Sequence, residues 1–551
     1  MLRLRELKRE KGSVLILCYI ILISLLAFSA PLLSKLINEK LLLDRQKLEK
    51  EAFYLAEGAI DDAANQFINA IANFEVAPTI ASYPTTAVNW TTFYTNSTSL
   101  PAGASVIWSI NETGDGAYQT NDPDGSIVFI KPYKITAQCI HPENNNISVT
   151  LNQVVLVRRI SAFQHAVFYN DDLEILPGPD MTFTGRIHSN KDIYLDSDGH
   201  TLTIDSEYLR SAANIYNGVK DGKNRADGTV KIKEAGTTNF HNMDGLDSGS
   251  ADWLTESQNR WNGTVQSSVH GVTKLAVPAV GSIQPNGYYA SNADVVIENG
   301  IIRKGGVVLV EGTDIPTGTI QTDTTFYNNR ERKFVKMTNV DLKKLAGYAE
   351  GDDDGTPSFA SHLPENGLIY ATRDDALSNE QPGVRLTNGS QIYRDGGLTV
   401  VSNDPVYIQG NYNTENKQPA AIICDSVNLL SNNWTSDARS TSNLSSRPAS
   451  DTTFNTAFIA GVDETSVGQY NGGLENYPRL HEDWSRRNLT INGAFIELWN
   501  PQIAQGEWHY GDPQYTAPRR DWHYESLFSD GNMPPFTPWA VEAEKGALWK
   551  E

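Results

Sequence analysis

The residues most able to do chemistry in this chain are carboxylates in short runs. "EGDDDG" sets Glu350, Asp352 and Asp354 at alternate positions before Gly355. A calcium loop of the EF-hand kind begins this way, because alternate side chains of a tight loop converge on one hard cation. "NDPDG" (Asp122, Asp124) and "LDSDG" (Asp196, Asp198) share the D-x-D-G form. The bidentate Glu that such a loop needs at its twelfth place is missing; Ser361 stands there. Asp-Gly pairs also simply make turns, and the turn is the preferred reading. Calcium is the one candidate cofactor, and no other is expected.

A second group of residues suits glycoside hydrolysis: Asp425 beside the strand-like "AIICDS", and the cluster Glu475, His481, Glu482 and Asp483. Two carboxylates about 5–10 Å apart suffice for that reaction. Against it, charged runs on loops are usually just solvated. Trp484, Trp499, Trp508 and Trp522, with Tyr510 and Tyr524, could stack on sugar or cap the end of a repeat stack. No stretch matches a nucleophile elbow, a P-loop or a metal-protease helix. The three cysteines, Cys18, Cys139 and Cys424, are too scattered for a zinc site, and no disulfide is expected. The expectation is a chain that is not an enzyme.

These candidates sit far from the most unusual element. "KGSVLILCYIILISLLAFSAPLLS" has no charge between Gly12 and Ser34. A helix needs roughly 20 apolar residues to cross a bilayer, whereas a signal-peptide core has about 7–15. Pro31 directly after "AFSA", and the apolar residues beyond it, favour a spanning helix over a cleaved signal. Arg3, Arg5, Lys8, Arg9 and Lys11 precede it, against Glu6 and Glu10. Positive flanks stay cytoplasmic, so the rest of the chain is expected outside an inner (cytoplasmic) membrane. The net charge of −21 excludes nucleic acid as a natural partner, since phosphate binding needs clustered Lys and Arg. After Ser34, Phe53, Ala56, Ile60, Ala63 and Phe67 recur at three- and four-residue steps, opposite Glu51, Asp61, Asp62 and Asn65. One long helix, open to a bend at Pro31, should leave the membrane with an apolar stripe.

A basic leader, "KG", the apolar run and "EAFYLAEGAIDDA" together resemble the N-terminus of type IV pilin-like proteins, above all the PilX-type minor pilins with their "AF.AAEA.I..A" segment. The resemblance covers roughly the first 75 residues. It implies a prepilin peptidase cutting after Gly12, Ser13 as the new N-terminus, and other pilin-like subunits packed around the helix. Major pilins place a Glu fifth after the cut; Leu17 stands here, which points to a minor subunit of a pilus or secretion pseudopilus.

Beyond the helix the chain reads as mainly β. "ASVIWSI", "GSIVFIKPYKITAQCI" and "ISVTLNQVVLVRRI" alternate and are rich in β-branched residues, giving three or four antiparallel strands. After Ile160, short strands recur between Gly, Asn and Asp turns. This pattern suggests stacked coils of a β-solenoid, with a β-sandwich as the alternative. "NDPVYIQGNYNTENKQPAAIICDSVNLLSNNW", "NGGLENYPRLHEDWSRRNLTINGAFIELWN" and "GRIHSNKDIYL" resemble a large C-terminal domain of unknown function carried by bacterial PilX-type proteins. The expected organisation is a leader over 1–12, a helix over 13–75, a small pilin-like head over 76–160, and a large β-domain over 161–540 with a loop-like insertion near 205–280. The rival to a pilin-like subunit is a single-pass surface protein whose β-domain binds glycan or another cell surface.

Overall fold

The computed structural model describes residues 11–72, 105–114, 116–122, 126–141, 143–220, 228–322, 325–352, 355–467 and 469–550. It is one long helix followed by sheets. The helix α1 runs Lys11–Ala72 and continues through Pro31. Most of the expected leader lies outside the described residues, as do Asp124 and Asp354.

The second half of α1 lies on a small antiparallel sheet. Its strands are β1 (Ser105–Glu112), β2 (Tyr118–Asn121), β3 (Ile127–Ile140) and β4 (Ser148–Ser161). β3 carries both β1 and β2, and β4 lies on its far side. Alternation decides which face is covered. Val106, Trp108 and Ile110 of β1, Tyr133, Ile135 and Ala137 of β3, and Val149, Leu151, Val155 and Val157 of β4 bury toward the helix. The helix answers with Ala52, Ala56, Ala59, Ile60, Ala63, Ala64 and Phe67, all buried. Alanine at the contact lets the helix backbone come close to the sheet. Phe67 stands edge-on to Tyr133 at 4.6 Å, and His141 Nε2 lies 3.1 Å from Glu51.

The sheet has a fifth strand that the sequence reading does not anticipate. Trp539–Lys550, at the C-terminus, pairs antiparallel with β4 from Trp539↔Ser161 to Lys550↔Leu151. The chain thus returns to the head at Trp539, beside the expected end of the β-domain.

Between β4 and that strand the chain winds in parallel coils, not as a sandwich. One face stacks ten parallel strands. In spatial order they are 295–298, 368–372, 398–401, 420–424, 457–460, 495–497, 165–169, 186–189, 209–211 and 265–266. A second face runs alongside through 333–341, 380–387, 406–409, 427–430 and 478–480. A third is built from 452–455, 488–493 and 519–524, and from 181–184, 201–205 and 229–233. In-register apolar rows fill the middle: Ile369, Val400, Ile422, Phe458, Phe495, Val167, Ile187, Leu209 and Val265 follow one another across the first face. Burying each such side chain contributes about 1.5–3 kcal/mol.

The order of coils is permuted. The chain enters mid-stack at 165–169, winds to one end at 265–266, crosses to the other end at 295–298, and winds back until 495–497 pairs with 165–169. The segment near 205–280 is not a loop-like insertion. It supplies strands at 209–211, 215–217, 229–233, 240–242 and 265–266 and the helix Trp253–Trp261, whose two tryptophans are buried. Its polar, Gly-rich turns hide strands of only two to five residues.

Candidate functional site

The first half of α1 is the largest uncovered apolar surface among the described residues. Val14, Leu17, Ile21, Leu25, Phe28, Leu32 and Leu36 are all at least half exposed, Phe28 at 73%. The segment is long and apolar enough to cross a membrane. Exposed apolar side chains surround it on every side, so it has no polar face to turn to water. Ser24 and Ser29 return their hydroxyls to the helix, donating to the carbonyls of Ile20 and Leu26. Gly12 and Ser13 lie in its first turn.

The carboxylates singled out by sequence are tied into the coils. Asp425 is buried and accepts from the backbone N–H groups of Gln502, Ile503 and Ala504, at 2.5, 2.9 and 2.8 Å. It ties its coil to the segment that follows strand 495–497, two coils along the stack. Glu482 accepts from the Ser431 N–H at 2.6 Å and hydroxyl at 2.8 Å. Burial raises its pKa to about 7. Glu475 accepts from the Leu176 N–H and the Tyr470 hydroxyl, and burial raises it too. His481 is buried against Asn428, and burial, reinforced by Arg447, Arg479 and Arg330, lowers it to about 3. Asp483 accepts from the Thr516 hydroxyl at 2.6 Å, which holds it below the usual range. Asp425, Glu475 and Glu482 turn their acceptor oxygens inward, whereas Asp483 bonds at the half-buried edge of its coil.

The tryptophans neither form a sugar platform nor cap a stack end. Trp484, Trp499 and Trp522 are buried, and Trp522 stacks on Phe495 at 4.8 Å. Their coils lie mid-stack because of the permuted order, and Trp508 is pinned by Tyr515. Tyr510 alone of the group stands well exposed.

At the calcium candidate, Asp352 closes a turn. It accepts from the N–H groups of Ala349 and Ser358 and from the Ser358 hydroxyl. Glu350 is exposed beside it. Asp122 pairs with Arg158, and Asp196 is buried and accepts from the Ser197 N–H. No group of three or more His, Cys, Asp or Glu able to hold a metal occurs among the described residues. All three cysteines are free, Cys139 and Cys424 buried.

Two clefts were not anticipated. One, of about 240 Å³, opens where the head meets the coils; there the guanidinium groups of Arg186 and Arg210 lie over the Tyr208 ring at 3.9 and 4.0 Å. The other, of about 420 Å³, lies on the flank of the stack and is lined by Tyr348, Tyr393, Gln391, Asp395, Asn416 and Gln418. These residues come from three loops separated by tens of residues, so no local motif marks them.

No family model matches the chain, and no characterised protein matches it in sequence. Among solved structures it is similar to the competence-associated pilin ComZ from Thermus thermophilus, with a TM-score of 0.26 and 8% identity over 91% of this chain and 97% of that one.

Proposed function

We propose that the chain is a pilin-like minor subunit of a type IV pilus or a type II secretion-like machine. In this reading the α1 segment after Gly12 is embedded in an inner membrane and later in a filament core, and the coils project outward. One observation carries it: a single helix whose first half is apolar and uncovered on all sides while its second half is sealed onto a five-stranded sheet. An apolar surface of that size needs lipid or like helices around it. The processing site is Gly12–Ser13, cut by a prepilin peptidase. Leu17 leaves the subunit without a carboxylate to neutralise a neighbour's amino terminus, and the large head crowds copies of itself; both favour a tip or rare position. The role is structural, supported by the engagement of the candidate carboxylates in coil-to-coil bonds.

The test is the intact mass of the protein from its native host, with and without Gly12→Leu. A native chain beginning at Ser13 and a variant that stays uncut support the reading. A native chain still beginning at Met1 reduces it to a membrane-anchored surface protein. Affinity purification of the tagged protein should also recover smaller pilin-like proteins in excess over it.

A further inference from the structure

The flank cleft lies where the third face of the stack has no strands. After 380–387 and after 406–409 the chain returns to the first face through loops, joined by a parallel bridge between Gln391 and Glu415 and by N–H groups of Asn413, Thr414 and Glu415 donating to the Gly389 and Ser390 carbonyls. With Ala346, Tyr348, Pro357 and Ser361 these loops line an open cleft of about 420 Å³, within the range of about 300–1,000 Å³ usual for small-molecule sites.

Its lining is of two kinds. Tyr348 and Tyr393 are half-buried, backed by the main core, with ring centroids 4.7 Å apart and planes tilted by 40°. The Tyr348 hydroxyl lies 3.4 Å from the Gly355 carbonyl, and the Lys343 ammonium stands over the same ring, 5.8 Å from its centroid, so Tyr393 is the ring with the freer face. Around the rings stand planar polar side chains. Those of Gln391, Asp395 and Asn416 make no hydrogen bond or ion pair among the described residues. Gln418 is already set: the Asn413 side chain accepts from its N–H at 2.9 Å and donates to its carbonyl at 2.6 Å. Asn413 and Asn416 both adopt positive φ, 54° and 47°, a conformation that shapes the rim and that Asn tolerates at small cost.

Tilted aromatic faces beside unpaired amides and one carboxylate match one ligand chemistry well. A pyranose offers a C–H face to a ring and pairs of hydroxyls to planar amide or carboxylate groups. Asp395 in the wall and a net charge of −21 on the chain weigh against anionic ligands more than Lys343, over the Tyr348 ring, favours them. We propose that this cleft binds a neutral sugar residue of a glycan. The site goes beyond the pilin-like assignment and stands whether or not the helix enters a filament.

The experiment is saturation-transfer NMR on the full-length chain in a detergent without a sugar headgroup. The probes are millimolar methyl glycosides of glucose, galactose and N-acetylglucosamine and their β-linked disaccharides, with glucuronic acid as the anionic comparison. Transfer to the ring C–H protons of at least one neutral sugar is expected, at least fivefold weaker in Tyr393→Ala and in Asp395→Ala. Asp395 is exposed and its carboxylate makes no hydrogen bond or ion pair among the described residues, so its variant should melt with the parent, which separates lost binding from lost folding. No transfer from any neutral sugar, transfer unchanged in both variants, or equal transfer to glucuronic acid overturns the proposal.

Discussion

At the scale of the residue, the buried carboxylates behave as clips. Asp425 serves three backbone N–H groups at once, and an orphaned buried donor costs about 1–3 kcal/mol. Asp425→Ala should therefore lower the melting temperature steeply, while Asp425→Asn, which keeps one acceptor oxygen, should lose less; thermal unfolding by circular dichroism distinguishes them. Glu482 yields a pH prediction. Its folded-state pKa is raised to about 7 by burial, above its ordinary value near 4.5. The folded chain thus holds that proton more tightly than the unfolded one. Its contribution is complete below pH 4.5 and is lost as pH rises through about 7, at up to about 1.4 kcal/mol per pH unit. Glu482→Gln keeps an acceptor for Ser431 and has no proton to lose. Urea titrations at pH 5 and pH 7.5 should show a smaller difference for the variant than for the parent; an equal difference would mean that Glu482 is already ionised in the folded chain. That these residues bond to other coils was not legible in sequence. "LHEDW" reads the same whether its side chains face water or the next coil, and only the stacking of Ser431 beside Glu482 decides.

At the scale of the element, α1 and the C-terminal strand make the head. The stripe of Phe53, Ala56, Ile60, Ala63 and Phe67 was legible because helical spacing survives without any knowledge of the partner. The structure adds Ala52, Ala59 and Ala64 to the contact. Ala56→Leu should overpack it and cost about 1–3 kcal/mol, seen as loss of head stability in thermal unfolding; an unchanged melting point would mean that the helix stands off the sheet. The strand at 539–550 was missed for a physical reason. "WAVEAEKGALWK" is one-third charged because its outer residues meet solvent, and its partner lies nearly four hundred positions earlier. Ending the chain at Pro538 should strip hydrogen-exchange protection from alternate amides of β4 between Leu151 and Ile160, whose edge is then unpaired. Unchanged protection there would show that the strand adds nothing to the sheet.

At the scale of the whole molecule, the solenoid was legible and its order was not. Turn-bounded apolar runs identify short buried strands. A faint repeat, "YNDDLEI", "SNKDIYL", "SAANIYN", marks three successive coils, in which Ser189 and Ser211 donate to the carbonyls of Asp171 and Lys191. Loops of unequal length, such as 431–451, blur that period everywhere else. Permutation leaves no local trace, because strand 495–497 meets 165–169 only once every other coil is in place. Cleavage by trypsin after exposed Lys274, between the two halves of the winding, should therefore leave both fragments together in gel filtration and release them only in denaturant; separation under native conditions would contradict the stacking. The same topology fixes how tension crosses the head. The chain joins the sheet at Ser105, opposite Ile140, and leaves it at Ser161, beside Trp539. These are opposite ends of the sheet, so a tug on the coils against the start of β1 drags the strands lengthwise. Their cross-links lie across that direction and stretch together rather than opening one after another like a zip. The small sheet is thereby built as a shear joint, and the coils, whose covalent links to it leave from mid-stack, can be hauled on through strands that load together.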